Sequence, residues 1–206
     1  MQDLSRRSLF SLFGMPRARG IPNDTSPRAA EPESQAVARE RIHKRYFPDI
    51  TLLTQNNKKV RFYEDLVKNK VVTLNFFYAK CEGVCPAVTA NLVQVQKMLG
   101  NRVGRDLFMN SITLKPEEDD PAALKEYQKM YGMGPGWNLL TGKPADIELL
   151  RKSLGFTYPD PRIDKDKSQH IGNVRYGNEP LMLWSACPGM AHAKWIAESI
   201  SWVIRS

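Results

Sequence analysis

From Tyr46 to the C-terminus, apolar positions fall into two alternating rhythms. Val71 to Tyr78 (VVTLNFFY) is nearly continuously apolar and rich in β-branched and aromatic residues, which predicts a strand buried on both faces at the centre of a sheet. Beyond it, Val88, Leu92, Val95 and Leu99 recur at helical spacing, with Pro86 suited to the first turn. The pair of periods then repeats. Leu107 to Leu114 reads as a strand, and Pro121 opens a helix with Leu124, Tyr127 and Tyr131 inward and Gly132 as its stop. Trp137 to Thr141 reads as a short strand, followed by a helix from Pro144 with Ile147, Leu150 and Leu154 inward. Two hairpins flank this alternation. Asp49–Thr54 and Lys59–Tyr63 surround the turn Gln55-Asn56-Asn57-Lys58, and Ile171–Tyr176 and Leu181–Ser185 surround Gly177-Asn178-Glu179-Pro180. A last helix, about Ala191 to Ile204, packs through Ile196, Ile200 and Val203.

Strand and helix alternating, then a hairpin and a final helix, is the order of an α/β thioredoxin-like fold: a central mixed sheet flanked by helices, here with an N-terminal β-hairpin. This domain is expected over residues 46–206, with a signal-like segment and polar linker over 1–45. At 206 residues, 42% hydrophobic and 25% charged, the chain has the composition of a soluble globular protein. Its net charge of +8 changes this picture little. Arg6, Arg7, Arg17, Arg19, Arg28, Arg39, Arg41, Lys44 and Arg45 all lie in the first 45 residues, so no nucleic-acid partner is expected for the folded part. Ser5-Arg6-Arg7-Ser8-Leu9-Phe10 is similar to a twin-arginine export motif, read by a receptor ahead of an apolar segment. The stretch from Ala29 to about Tyr46 is polar with no apolar stripe and reads as linker or frayed helix.

The candidate chemistry gathers at Ala79-Lys80-Cys81-Glu82-Gly83-Val84-Cys85-Pro86, between a buried strand and a helix. With Cys85 on the first turn, a spacing of four brings both sulfurs to one face of the helix N-terminus. The unpaired N–H groups and dipole there favour thiolate, the form that binds metal or attacks a disulfide. Zinc sites usually show a second ligand pair, absent here, whereas Cu(I) is soft and accepts few sulfur and imidazole donors. Buried core thiols or an inert disulfide are the plainer alternatives, disfavoured by the placement after a strand and before a helix.

Phe47-Pro48-Asp49, VVTLNFFY, the CxxxCP element Cys81 to Pro86, SITLKPEEDDP from Ser111 to Pro121, and His170 ahead of a hairpin together resemble the Sco/SenC family, from about Tyr46 to the C-terminus. The resemblance implies a copper chaperone and thiol-disulfide protein that helps assemble the dinuclear copper centre of cytochrome c oxidase. It implies copper, as Cu(I) or Cu(II), held by Cys81, Cys85 and His170, with Cys81 and Cys85 also able to act as a redox pair. Implied partners are the apo copper subunit of the oxidase or another copper chaperone, at the surface of a bacterial inner membrane on its periplasmic side. Where many relatives carry an Asp before the proline of the SITLKP-like loop, this chain has Lys115, which removes an acidic donor.

In the thioredoxin layout, the loop before the last hairpin faces the start of the first helix, so His170 can reach the thiolates and complete a site of two sulfurs and one nitrogen. His43 lies in the basic linker and reads as solvated. Cys187, Met190 and His192 superficially offer a soft cluster but read as gap-filling residues at a strand-to-helix corner. The main alternative to copper delivery is a thiol-disulfide oxidoreductase keeping partner cysteines reduced. A peroxidase is a third and weaker reading, because no assisting Thr and Arg can be placed. If Arg6 and Arg7 form a receptor-read signal, Arg6→Lys combined with Arg7→Lys should retain the protein in the cytoplasm. Cell fractionation checks this, and unchanged export would point to another route.

Overall fold

The predicted alternation is realised in a computed structural model that describes residues 34–167 and 170–205. The export motif lies outside these residues. In chain order the elements are helix α1 (Gln35–Tyr46), strands β1 (Thr51–Thr54) and β2 (Lys59–Arg61), a π-helical turn (Phe62–Val67), β3 (Val71–Phe77), α2 (Cys85–Leu99), β4 (Phe108–Thr113), α3 (Pro121–Tyr131), β5 (Trp137–Thr141), α4 (Pro144–Ser153), α5 (Pro161–Lys165), β6 (Asn173–Asn178), β7 (Leu183–Pro188) and α6 (Ala193–Arg205).

The seven strands form one mixed sheet in the order β2-β1-β5-β4-β3-β6-β7. Strands β3, β4 and β5 run parallel, and the remaining pairs are antiparallel. This is the thioredoxin-like arrangement, with β4 in the middle of the sheet and β3 one place away. Six of the seven residues of β3 are buried, as its unbroken apolar run requires. Val88, Leu92, Val95 and Leu99 bury one side of α2, so α2 leaves the end of β3 with its first turn beside the sheet. Asp120 caps α3 by accepting from the Ala123 N–H at 2.8 Å, and Gly132 ends that helix at a φ of 63°.

Three segments differ from expectation. Beyond Arg61 the second strand gives way to the π-helical turn, whose Phe62, Tyr63, Leu66 and Val67 are all buried. A strand would have turned every second one outward. The second hairpin turns later, at Glu179 to Met182, because Gly177 and Asn178 still pair with Trp184 and Leu183. Gly177 serves here as a seat for the indole: a Cβ there would lie 2.3 Å from Trp184 Cε3.

Residues 35–46, expected as linker or frayed helix, form the packed helix α1. Apart from Ile42, its attachment is polar and aromatic, so it leaves no apolar stripe in the sequence. Arg39 donates from Nε and Nη2 to the Glu179 carboxylate at 2.6 Å each, and the His43 ring stacks on Tyr63 at 3.7 Å between centroids. His43 is therefore half-buried and packed, and not a solvated linker residue. Glu179 also accepts from the Tyr63 hydroxyl at 2.8 Å and the Asn69 N–H at 2.7 Å.

Burial raises the Glu179 carboxyl, but Arg39, the Asn69 N–H and Tyr63 outweigh it and hold it below its usual value. A depressed acid contributes stability that is present above its unfolded value, about 4.3, and is lost as pH falls through the folded value. Glu179→Gln should therefore destabilise the protein at neutral pH by about 2 kcal/mol, by leaving donors underpaired. The gap from wild type should narrow as pH falls below that unfolded value. Urea unfolding across pH checks both statements.

Candidate metal centre

The end of β3 delivers Tyr78 and then a short loop, and Cys81 sits in that loop with its N–H bonded to the Tyr78 carbonyl at 3.2 Å. Cys85 is the first residue of α2, where Pro86 occupies a position that needs no N–H donor. No side chain caps this helix start. The N–H groups of Gly83 and Cys85 are thus left to the Cys81 sulfur. His170 arrives from the far end of the connection between α4 and β6.

The three residues meet. Cys85 Sγ and His170 Nε2 lie 2.8 Å apart, and the Cys81 sulfur, the Cys85 sulfur and a His170 ring nitrogen all lie within 4.8 Å of one another. An ion placed among them reaches all three donors with small side-chain adjustments. Cys81 and Cys85 are buried and all three cysteines are unbridged. Among the described residues, no other group of three His, Cys, Asp or Glu donors is gathered in this way. Glu82 and Gly83, in the loop between the two cysteines, are exposed.

The two thiols are electrostatically unlike. Burial raises Cys81, but hydrogen bonds from the Cys85 side chain and N–H, the Tyr78 hydroxyl and the Gly83 N–H outweigh it, so Cys81 lies below an ordinary thiol. Burial and the neighbouring Cys81 push Cys85 well up. The pair therefore holds its first negative charge on Cys81, with Cys85 as the donor beside it. Burial also lowers His170, and the Ile171 backbone offsets this only in part, so the imidazole is neutral and available as a ligand. Its Nδ1 is buried without a hydrogen-bond partner.

Tyr78, Lys115 and Asp119 have contacts here that were not foreseen from the sequence. Tyr78 meets His170 edge-on with ring centroids 6.1 Å apart, and Lys115 Nζ stands 4.6 Å above the Tyr78 ring. Lys115 thus covers an aromatic wall of the site at the position where an acidic donor was missed. Asp119 is buried and accepts the Ala79 N–H at 3.0 Å and the Thr113 hydroxyl, tying the cysteine loop to the end of β4. Its signal in the sequence was the Asp119-Asp120 pair, but sequence alone does not say which caps α3 and which turns inward.

Cys187 lies in β7 opposite Val174 and is buried, as a core residue should be. Met190, at 57% exposure, is not a core gap-filler, and His192 is exposed as well. The strand runs on to Pro188, which turns these two outward. The corner itself is anchored at Gly189, whose N–H bonds the Gly172 carbonyl at 2.8 Å and where a Cβ would lie 2.7 Å from a Val88 methyl.

The SCO1/SenC family model matches residues 39–179. The SCO1 protein homolog of Bacillus subtilis is 31% identical over 100 residues, covering 48% of this chain and 50% of that protein, so the match spans about half the length of this curated relative. Among solved structures, a SCO1/SenC family lipoprotein from Bacillus anthracis is similar with a TM-score of 0.64 at 24% identity, over 76% of this chain and 94% of that one. ScoI of Bradyrhizobium japonicum, solved with copper bound, has a TM-score of 0.60 at 24% identity, over 74% and 96% of the two chains. At this identity the structural likenesses establish the fold.

Thiol reactivity tests the electrostatics of the pair. Burial pushes Cys187 up to about 11, so near neutral pH it is almost entirely protonated. In reduced, metal-free protein an alkylating reagent should label Cys81 ahead of Cys85 and Cys187, as read by peptide mass. Labelling of Cys187 at the rate of Cys81 would contradict this ordering.

Proposed function

Because the chain belongs to the SCO1/SenC family, we propose that it is a copper metallochaperone that carries one ion on Cys81, Cys85 and His170 and delivers it during assembly of the copper centre of cytochrome c oxidase. The observation that carries this reading is the convergence of two sulfurs and an imidazole nitrogen within 4.8 Å. A thiol-disulfide reaction needs two sulfurs and has no use for the third donor. Two thiolates and one imidazole form a soft, low-coordinate set suited to copper, and a zinc site would call for a fourth ligand. A solved relative that carries copper supports the same choice.

In this reading the residues divide the work. Cys81 offers sulfur already biased toward thiolate, and Cys85 gives up its proton when the ion enters. His170 supplies the nitrogen that a Cu(II) ion favours. Delivery proceeds by ligand exchange beside the exposed residues Glu82 and Gly83, with an apo copper subunit of the oxidase, or another copper chaperone, supplying the incoming donors. The lipoprotein relative supports a place on the extracytoplasmic face of the inner membrane. Among the described residues no helix is long and apolar enough to cross a membrane.

The contrast between the two thiols favours a second reading, a thiol-disulfide oxidoreductase. Cys81 thiolate would attack a partner disulfide, forming a mixed disulfide and releasing one partner thiolate. Cys85 would then attack the Cys81 sulfur, releasing the second partner thiol and leaving a Cys81–Cys85 disulfide, so that two electrons pass to the partner.

One variant separates the two. His170→Ala should retain a reversible Cys81–Cys85 disulfide, bind copper more weakly, change the sulfur-to-copper absorption and fail to support oxidase assembly. Wild-type protein should bind one copper per chain, and Cys81→Ala or Cys85→Ala should abolish binding. Metal analysis, absorption spectra and a complementation assay check these outcomes. Full assembly by His170→Ala would move the oxidoreductase reading to first place.

A further inference from the structure

His170 sits near the end of the connection from Leu154 to Gly172, which includes the short α5. Neither a sheet ladder nor a long helix holds this histidine in place. The connection is instead tied back to α4 by polar side chains, with Arg151, buried at 4% exposure, at their centre.

A guanidinium has five N–H donors, and Arg151 uses all of them. Nε and Nη2 donate to the two Glu148 oxygens at 2.9 and 2.7 Å, one turn back on α4. Nη1 and Nη2 donate to the two Asp164 oxygens at 2.7 and 2.6 Å, inside α5. The remaining Nη1 donor reaches the Phe156 carbonyl at 2.8 Å. The acceptors are shared onward. Asp164 also receives the Tyr158 N–H at 2.8 Å, and Glu148 receives Lys167 Nζ at 3.1 Å. The His170 N–H in turn points to the Lys167 carbonyl at 3.4 Å. Phe156 is itself fixed, its ring meeting Phe76 of β3 edge-on at 4.9 Å. The connection is thus fastened at Phe156, Tyr158, Asp164 and Lys167, three residues short of the histidine.

We propose that Arg151 is the positioning residue that holds the His170 segment over the cysteine pair. This rests on the copper reading above. Two carboxylates on different elements can be bridged edge to edge by a planar fork, and an ammonium cannot replace that geometry. Its position on α4, which leads out of β5 at the core of the sheet, gives the segment a rigid reference. The cysteines have no part in this network, so losing the fork should free the imidazole and leave the sulfurs where they are.

Arg151→Lys keeps the charge and removes the fork. In Cu(II)-loaded protein the expected result is loss of imidazole nitrogen coupling in electron paramagnetic resonance and copper affinity about 10- to 100-fold weaker. The double variant with His170→Ala should bind no more weakly than His170→Ala alone, because both changes remove the same donor. In metal-free protein, amide hydrogens of residues 164–172 should exchange faster, with those of α2 unchanged. A purely structural role would lower the melting temperature, leave the nitrogen coupling intact and add to the effect of His170→Ala. Retained coupling and affinity in Arg151→Lys, beside their loss in His170→Ala, overturns the proposal and leaves the copper reading standing. If His170→Ala itself binds like wild type, the copper reading falls, and faster or unchanged exchange in metal-free Arg151→Lys then decides whether Arg151 holds the segment. Should Arg151→Lys not fold, Asp164→Asn gives the same comparisons while leaving Arg151 its bonds to Glu148 and Phe156.

Discussion

The contact between Cys85 Sγ and His170 Nε2, 2.8 Å across 85 residues of chain, is the constraint that gives the rest of the molecule its meaning. Two cysteines four apart at a helix start are a local arrangement that many sequences could form. The third donor has to be brought from the other end of the fold and kept there. The parallel pairing of β3 with β4 and the antiparallel pairing of β3 with β6 do the first part. They place the start of α2 and the segment entering β6 at the same end of the sheet.

Keeping the imidazole there falls to side chains. The His170 ring is half-buried with Nδ1 unpaired, and the bond of Nε2 to Cys85 Sγ alone does not fix it. It is held by the packing of Tyr78 on one side and by a segment tied to α4. The cysteine loop is fastened in a similar way, by Asp119 taking the Ala79 N–H. Both arms of the site are thus pinned by buried or half-buried carboxylates and one saturated guanidinium, while Glu82 and Gly83 between the two cysteines stay exposed. Firm donors beside an exposed loop suit an ion that must be gripped and later given up.

A polar attachment of the same kind explains α1. Glu179 gathers Arg39, Tyr63 and the Asn69 N–H at a point far from the thiols, and with it a helix whose residues carry no apolar stripe becomes part of the fold. Hydrophobic periodicity cannot report such an element, because the favourable contacts are a charge-assisted fork and a ring stack made by single residues.

The strand and helix order, the buried run of β3, the inward faces of α2, α3 and α6, and the two cysteines were all legible in the residues. Each of these is set by a local period or by neighbours a few positions apart, and a linear chain displays such regularities directly. His170 as a third donor came from the family resemblance and the expected layout, not from any pattern around it. The late turn at Glu179, the strand carrying Cys187 past the expected corner, the exposure of Met190, and the roles of Arg151, Asp119 and Glu179 were not legible. They depend on which partner stands across the fold. Trp184 claims the space above Gly177, and Arg39 meets a carboxylate 140 residues away. A buried charge looks the same in sequence as a solvated one, and only the packed chain, by supplying or withholding the opposite charge, determines which it is.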